Sequence, residues 1–185
     1  TADGTGLTDG TVDIFQGLRA LEDLPVPELG SGVRVATPPE IGFIALYFNV
    51  RQGRLFADPA LRLALQQCID LERDVDAATA GTGIPIYTDA MRGTWAYEPD
   101  IPRPARDPEA ARERIEAAGW SLGEDGIYVK DGTRLAAEIV VRGEVQERVR
   151  MVDLLVKDAR DCGMDLRPRP SELDPILDML RWFPH

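Results

Sequence analysis

The hydrophobic pattern changes several times along the chain, from continuous apolar runs to helical spacing and back. Residues 41–50 are mainly apolar, which predicts a strand buried on both faces. Asp58-Pro59 follows, and aspartate before proline is typical of a helix start. From there apolar residues recur at helical spacing to about Ala80, so the pattern predicts one amphipathic helix.

A second aspartate–proline pair, Asp107-Pro108, predicts another helix that ends at Gly119. Trp120 comes directly after this glycine, where an apolar residue folds back onto the end of its helix. Asp131-Gly132 lies between two apolar runs, 127–129 and 135–141, and predicts a tight hairpin.

The last part of the chain repeats the alternation of strands and helices. A third helix is predicted over residues 144–161 and a short strand over 166–169, with a last helix starting at Ser171 or Asp174. Between the first two helices, residues 81–106 form a long irregular stretch of the kind that often carries function. The alternation predicts an α/β fold with a mixed sheet flanked by helices.

Charge and composition narrow the functional classes. The net charge is −11, from 32 acidic and 21 basic residues, which argues against nucleic acid and against anionic membrane surfaces as partners. The single histidine, His185, is the last residue, so no Ser-His-Asp triad or multi-histidine metal site can form within this chain. We therefore expect neither an enzyme active site nor a metal or cofactor.

Several short sequence motifs follow one another along the chain. They are Gly10-Thr11-Val12-Asp13-Ile14, Phe48-Asn49, Phe56-Ala57-Asp58, Leu61-Arg62-Leu63-Ala64-Leu65, Ile69-Asp70-Leu71-Glu72-Arg73, Asp107-Pro108-Glu109-Ala110-Ala111, Ala117-Ala118-Gly119-Trp120, Asp125-Gly126 and Lys130-Asp131-Gly132. In this order they resemble the family 5 extracellular solute-binding proteins, the peptide- and nickel-type receptors of bacterial ABC importers. The resemblance covers roughly residues 10–170.

The resemblance implies a lobe like those of periplasmic binding proteins, of type II and cluster C style. Residues 1–32 would be a hinge-proximal segment leading out of a missing N-terminal lobe. Residues 33–185 would be most of the C-terminal lobe, incomplete at its end. The whole protein would be a monomeric, extracytoplasmic receptor, periplasmic or a cell-surface lipoprotein, that captures a small solute for an ABC permease in the membrane. A peptide is the expected solute, while nickel chelates, oligosaccharides and opines stay open.

Ligands of two-lobed receptors lie between the lobes, against strand ends and helix starts. This geometry nominates Arg142 and Glu144, around Gly143, and Tyr47 with Asn49 at the end of the first predicted strand. The long loop adds three aromatic candidates, Tyr87, Trp95 and Tyr97, which suit contacts to a peptide or a sugar. For each group the alternative is a purely structural role, as a solvated turn or as rings that hold the loop to its own lobe.

Cys68 closes the apolar stripe of the first predicted helix, and Cys162 ends the third predicted helix. If those helices pack side by side, a disulfide can form, and the location that the resemblance implies would permit it. The alternative is two buried free thiols.

One charged run and two other functions complete the hypotheses. Residues 70–76 are rich in aspartate and glutamate, but their spacing matches no calcium loop, so we expect a solvated helix face and no metal. The alternatives to a transport receptor are the accessory lobe of a hydrolase or transferase with its catalytic residues elsewhere, and a peptide-binding sensor or chaperone domain.

Overall fold

The computed structural model describes residues 34, 42–91, 93–102 and 104–181, so residues 1–32 lie outside the described part. The helices are α1 Pro59–Cys68, α2 Leu71–Thr79, α3 Pro108–Ala117, α4 Gln146–Asp161 and α5 Leu173–Arg181, after a 3₁₀ turn at Leu55–Ala57. The strands are β1 Ser121–Leu122, β2 Tyr128–Lys130, β3 Thr133–Arg134, β4 Ala136–Arg142 and β5 Asp165–Ser171. This alternation confirms the α/β class.

Aspartate side chains start three of the helices. Asp58 Oδ1 accepts a hydrogen bond from Ala60 N at 2.8 Å, and Asp107 Oδ1 accepts one from Ala110 N at 3.0 Å. Asp70 does the same for Arg73 N at 3.2 Å. Because this third cap starts a new helix, the single helix predicted to reach Ala80 is wrong, and the structure has α1 and α2 instead.

The predicted helix stop and hairpin are both confirmed. Gly119 has a φ of 86°, and Trp120 N donates to Ile115 O at 3.3 Å, which buries the Trp120 ring at the end of α3. Asp131 and Gly132 have φ values of 49° and 73° and connect β2 to β3. The hairpin is shorter than predicted, because most of residues 135–141 belong to β4 in a different sheet.

The strands form two sheets. Strands β1, β2 and β3 are antiparallel, whereas β4 and β5 pair in parallel from Ala136–Asp165 to Arg142–Ser171. Parallel and antiparallel pairs therefore lie in separate sheets within the described residues. Helix α4 connects β4 to β5, and this strand–helix–strand unit is the usual way to join parallel strands.

The strand predicted over residues 41–50 is not formed in the described residues 42–50. A strand requires a partner for its backbone groups, and no described strand pairs with this segment. Its apolar side chains, among them Phe43, Ile44 and Val50, are consequently exposed rather than buried. Phe48 is the exception, because its ring packs on Phe56 with centroids 5.1 Å apart.

A disulfide bond joins Cys68 at the end of α1 to Cys162 just after α4, with the Cα atoms 6.2 Å apart. Both residues are fully buried in the core, among side chains such as Leu65, Ile115 and Met164. The two cysteines are 94 residues apart in the sequence. In the chain-entropy description, a covalent loop of that length stabilises the fold by about 4–5 kcal/mol.

Part of the charged run at residues 70–76 is buried, so the prediction of a wholly solvated face is wrong. Asp74 has no exposed area, and Asp158 of α4 is 2% exposed. The Arg73 guanidinium lies between the two carboxylates, 2.6 Å from Asp74 Oδ1 and 2.7 Å from Asp158 Oδ2. Asp158 Oδ2 also accepts from Asp70 N at 3.0 Å, so this network fixes α2 against α4.

Candidate functional site

Two of the predicted site residues, Tyr87 and Tyr97, line one small concavity of about 70 Å³. Its lining also includes two carboxylates, those of Glu72 and Glu98. The remaining lining is mostly apolar and includes Ile84, Pro85, Ile86, Pro99 and Ile101. The Tyr87 hydroxyl donates to Glu72 Oε1 at 3.3 Å, so the start of α2 and the long loop meet here.

A larger groove of about 450 Å³ lies beside this concavity and shares Tyr87 with it. One wall is the extended segment 43–46, and the other is formed by Ile69, Leu71 and loop residues 86–89. Most of these side chains are apolar, as in the usual lining of small-molecule sites. The groove therefore offers apolar contacts together with a few polar groups, those of Gln66, Thr88 and Asp89.

Trp95 is 99% exposed, although its loop is held by local hydrogen bonds. Thr94 N donates to Met91 O at 3.1 Å, and Tyr97 N donates to Thr94 O at 3.2 Å. A bonded turn thus presents a large aromatic ring to solvent. This arrangement differs from the structural alternative for Trp95, in which the ring would pin the loop to its own lobe.

Tyr47 and Asn49 do not end a strand, contrary to the prediction. Tyr47 is 76% exposed, and neither residue lines the concavity or the groove. The Asn49 side-chain oxygen accepts a hydrogen bond from Arg51 N at 3.2 Å, so this amide bonds within its own turn.

Arg142 and Glu144 lie at the carboxyl end of β4, as predicted, and bond to each other. Arg142 Nε is 2.7 Å from Glu144 Oε1. The backbone N–H of Glu144, followed by the Arg142 guanidinium, lowers the pKa of the Glu144 carboxyl below its usual value. A ligand carboxylate would have to replace Glu144 as the partner of Arg142. The pair lines neither the concavity nor the groove, so the structure does not bring the two sets of candidates together.

In the described part of the chain, no three histidine, cysteine, aspartate or glutamate side chains are grouped so that they could hold a metal ion. The helices in that part are also too short or too polar to cross a membrane.

The sequence did not point to the groove. Ile86 comes from a loop, and Ile69 and Leu71 come from the break between two helices. The sequence pattern placed that break inside one continuous helix. The signal available was the apolar run Ile84-Pro85-Ile86-Tyr87 inside an otherwise irregular stretch. Apolar residues in a loop require something to pack against, here the start of α2.

Comparison with known proteins first defines the class, that of bacterial extracellular solute-binding proteins. The model described as "Bacterial extracellular solute-binding proteins, family 5 Middle" matches residues 2–179, and the chain belongs to this family. The family is a non-catalytic, solute-binding class.

Individual relatives agree with the family match. Protein XP55 of Streptomyces lividans is 30% identical over 115 residues, which are 62% of this chain and 21% of that protein. The oligopeptide-binding protein AppA of Bacillus subtilis is 21% identical over 161 residues, which are 85% of this chain and 30% of AppA. The chain thus spans less than a third of the length of these relatives.

Solved structures show the same fold. AppA in complex with a nonapeptide superposes with a TM-score of 0.63 at 24% identity, over 67% of this chain and 25% of AppA. A periplasmic oligopeptide-binding protein of Thermotoga maritima, bound to mannohexaose, gives a TM-score of 0.66 at 19% identity. That match covers 96% of this chain and 35% of the other.

Proposed function

We propose that this chain is most of one lobe of the solute-binding component of an ABC importer, with no catalytic activity of its own. The observation that carries the proposal is the family match over residues 2–179. In this proposal residues 1–32 lead out of the other lobe and residues 33–185 form most of the second lobe. The whole receptor is a monomer that delivers its solute to a membrane permease.

A peptide is the proposed solute. AppA and the Thermotoga protein are both oligopeptide-binding proteins by name, although the latter holds mannohexaose in its solved structure. The apolar groove beside Tyr87 and the exposed Trp95 supply the apolar and aromatic contacts that a peptide or a sugar face requires. We place the ligand-facing side of the lobe at these residues.

The Cys68–Cys162 disulfide supports an extracytoplasmic location, on the cell surface as a lipoprotein or in a periplasm, because disulfides persist in oxidising compartments. Stable binding would close two lobes around the solute, as in hinge-closing receptors. The lobe described here would supply one wall of that site.

A thermal-melting screen tests the function. This chain and a longer receptor containing it are heated with peptides, oligosaccharides or nickel chelates. A peptide at a hundred times its Kd should add about 2.7 kcal/mol to the stability of the longer receptor and little to this chain alone. A full shift in this chain alone would contradict the one-lobe proposal, and a shift with sugars only would exclude the peptide.

A pair of substitutions tests the site. Trp95→Ala should weaken binding to the longer receptor by about tenfold or more, as loss of an aromatic contact does. Leu63→Ala is the matched control, because Leu63 is also an exposed apolar residue but lies on α1, outside the aromatic loop. Equal affinities for the two variants would remove Trp95 from the proposed site.

A further inference from the structure

The small concavity beside the groove combines two kinds of lining. One is apolar and aromatic, with several isoleucine and proline side chains and the rings of Tyr87 and Tyr97. The other is charged, with the carboxylates of Glu72, from the first turn of α2, and of Glu98, from the long loop. The volume of about 70 Å³ is well below the ~150 Å³ of a cavity that holds benzene. The concavity therefore admits the end of one side chain.

The negative charge at the concavity is not balanced by the described residues. Neither Glu72 nor Glu98 forms an ion pair with a described lysine or arginine, and the same holds for Asp89 in the adjoining groove. The Tyr87 hydroxyl donates to Glu72 Oε1 at 3.3 Å. Asp100 N donates to Glu98 Oε1 at 3.3 Å. Both donors are neutral, so the charge of the carboxylates is left in place and repels anionic solutes.

An organic cation with an apolar stem matches both kinds of lining. The stem of a lysine or arginine side chain packs on apolar surface while its charged head reaches a polar partner. Tyrosine rings attract a cation to their faces, and carboxylates form charge-assisted hydrogen bonds with it. A metal ion fits less well, because hard cations are surrounded by oxygen ligands and most of this lining is apolar.

We propose that the concavity binds the positively charged end of one solute side chain, so that the receptor selects peptides in which a lysine or arginine lies beside apolar residues. The inference rests on the proposed function, in which this side of the lobe faces a peptide. The apolar neighbours of the basic residue occupy the groove, which shares Tyr87 with the concavity. One aromatic ring thus lines both the subsite for charge and the subsite for apolar side chains.

A small probe tests the concavity without a peptide. Butylammonium has the stem and the head of a lysine side chain, and butanol is its neutral counterpart of the same length. Each is titrated into residues 1–185 while the ring resonances of Tyr87 and Tyr97 are followed by NMR. Butylammonium should shift both rings in a saturable manner and bind at least about tenfold more tightly than butanol. Shifts by butylammonium no larger than those by butanol would overturn the proposal.

Two pairs of glutamine substitutions provide matched variants. Glu72→Gln with Glu98→Gln removes both charges but keeps the side-chain size and an oxygen that accepts hydrogen bonds, and should abolish the advantage of butylammonium over butanol. Glu109→Gln with Glu113→Gln is the control, because it removes two charges from exposed positions on α3, one of them also in a first turn. The control pair should keep the advantage. An equal loss in both pairs would show that overall charge attracts the cation, and would overturn the proposal.

Calorimetry on the longer receptor tests the selection of peptides. Tetrapeptides of alanine and leucine carry one lysine, norleucine or glutamate at each position in turn. The tightest lysine peptide should bind at least about tenfold more tightly than its norleucine counterpart, and the glutamate peptide should bind more weakly than both. The advantage of lysine should decrease at high salt and disappear in Glu72→Gln with Glu98→Gln.

The outcomes separate this inference from the proposed function. Equal affinities for the lysine and norleucine peptides would overturn the inference and leave a peptide receptor in place. If no peptide binds while butylammonium still shifts the two tyrosine rings, the proposed peptide function fails, and the selection of basic peptides fails with it.

Discussion

The helical body of the protein and its aromatic side are stabilised by different kinds of interaction. The helical body, α1 to α4, is held by a buried disulfide and by the Arg73 network between α2 and α4. The aromatic side, residues 42–50, 84–91 and 93–101, is held mainly by short-range hydrogen bonds and leaves rings such as Trp95 in solvent. Stability is therefore concentrated in one region and exposed aromatic surface in the other, which suits the proposed role of a rigid scaffold that presents binding segments.

Removing the disulfide should produce the largest effect on the helical body. Cys68→Ala with Cys162→Ala should reduce the free energy of unfolding by about 4–5 kcal/mol, since the unfolded chain regains the freedom of a long loop. Guanidinium unfolding followed by circular dichroism measures this loss. Reductant should destabilise the original protein and leave the variant unchanged. A loss below about 1 kcal/mol would mean that packing, not the disulfide, holds α1 to α4.

Asp158→Asn should have a smaller effect than loss of the disulfide, about 2 kcal/mol, because charge-assisted hydrogen bonds to a buried carboxylate are lost. Asp161→Asn is the matched control, since Asp161 is mostly exposed and pairs with Arg106 at 3.4 Å. That surface pair should contribute less than about 0.5 kcal/mol. Equal losses for the two variants would show that the buried network between α2 and α4 contributes no more to stability than an exposed ion pair.

The same variant makes a prediction about pH. Burial acts most strongly on Asp158 and would raise its pKa, but hydrogen bonds from Arg73 and from Asp70 N, together with nearby guanidinium charges, bring it below its usual value. The stability that Asp158 contributes is therefore present above its unfolded pKa of about 3.9 and is lost as pH falls through the lower folded pKa. Unfolding curves should fall less steeply below pH 4 in Asp158→Asn than in the original protein.

The pKa of Asp74 is shifted in the opposite direction to that of Asp158. Burial raises the pKa of its carboxyl, so ionisation of Asp74 opposes folding as pH rises, and protonation relieves it. Asp74 Oδ2 is buried and makes no hydrogen bond within the described part of the chain. The two carboxylates that share Arg73 thus respond to acid with opposite signs.

The smallest effect is expected on the aromatic side. Trp95→Ala should change the free energy of unfolding by less than about 0.5 kcal/mol, because a fully exposed ring loses no packing when it is removed. Trp120→Ala is the contrasting variant, since Trp120 is buried against α3 and its loss should cost about 3 kcal/mol or more. Similar losses for both tryptophans would place Trp95 in the core and remove the contrast between the two regions.

Local signals predicted much of the helical body. The caps at Asp58 and Asp107, the stop at Gly119 and the hairpin at Asp131-Gly132 depend on neighbouring residues, so the sequence pattern is sufficient to find them. The sequence predicts the strand residues of β4 and β5 separately but not their pairing, because the register depends on the α4 crossover.

The predictions that failed share one physical cause, which is contact between residues that are distant in the sequence. The apolar run 41–50 looks like a strand, yet no described strand pairs with its residues. Asp74 looks like part of a solvated face until α4 brings Asp158 and shields both. At the candidate site, the aromatic loop was predicted from its composition, whereas the groove required the fold to bring residues 43–46 against it.

The disulfide also determines how the protein responds to proteases. Cys68 and Cys162 close a covalent ring, and the exposed turn around Trp95 lies within that ring. Exposed loop tips are the preferred places for proteolytic cleavage. A single cut there would leave two polypeptides still joined through sulfur, so a nicked molecule would run as one band until reductant is added. An oxidising environment would thus keep the cleaved protein in one piece.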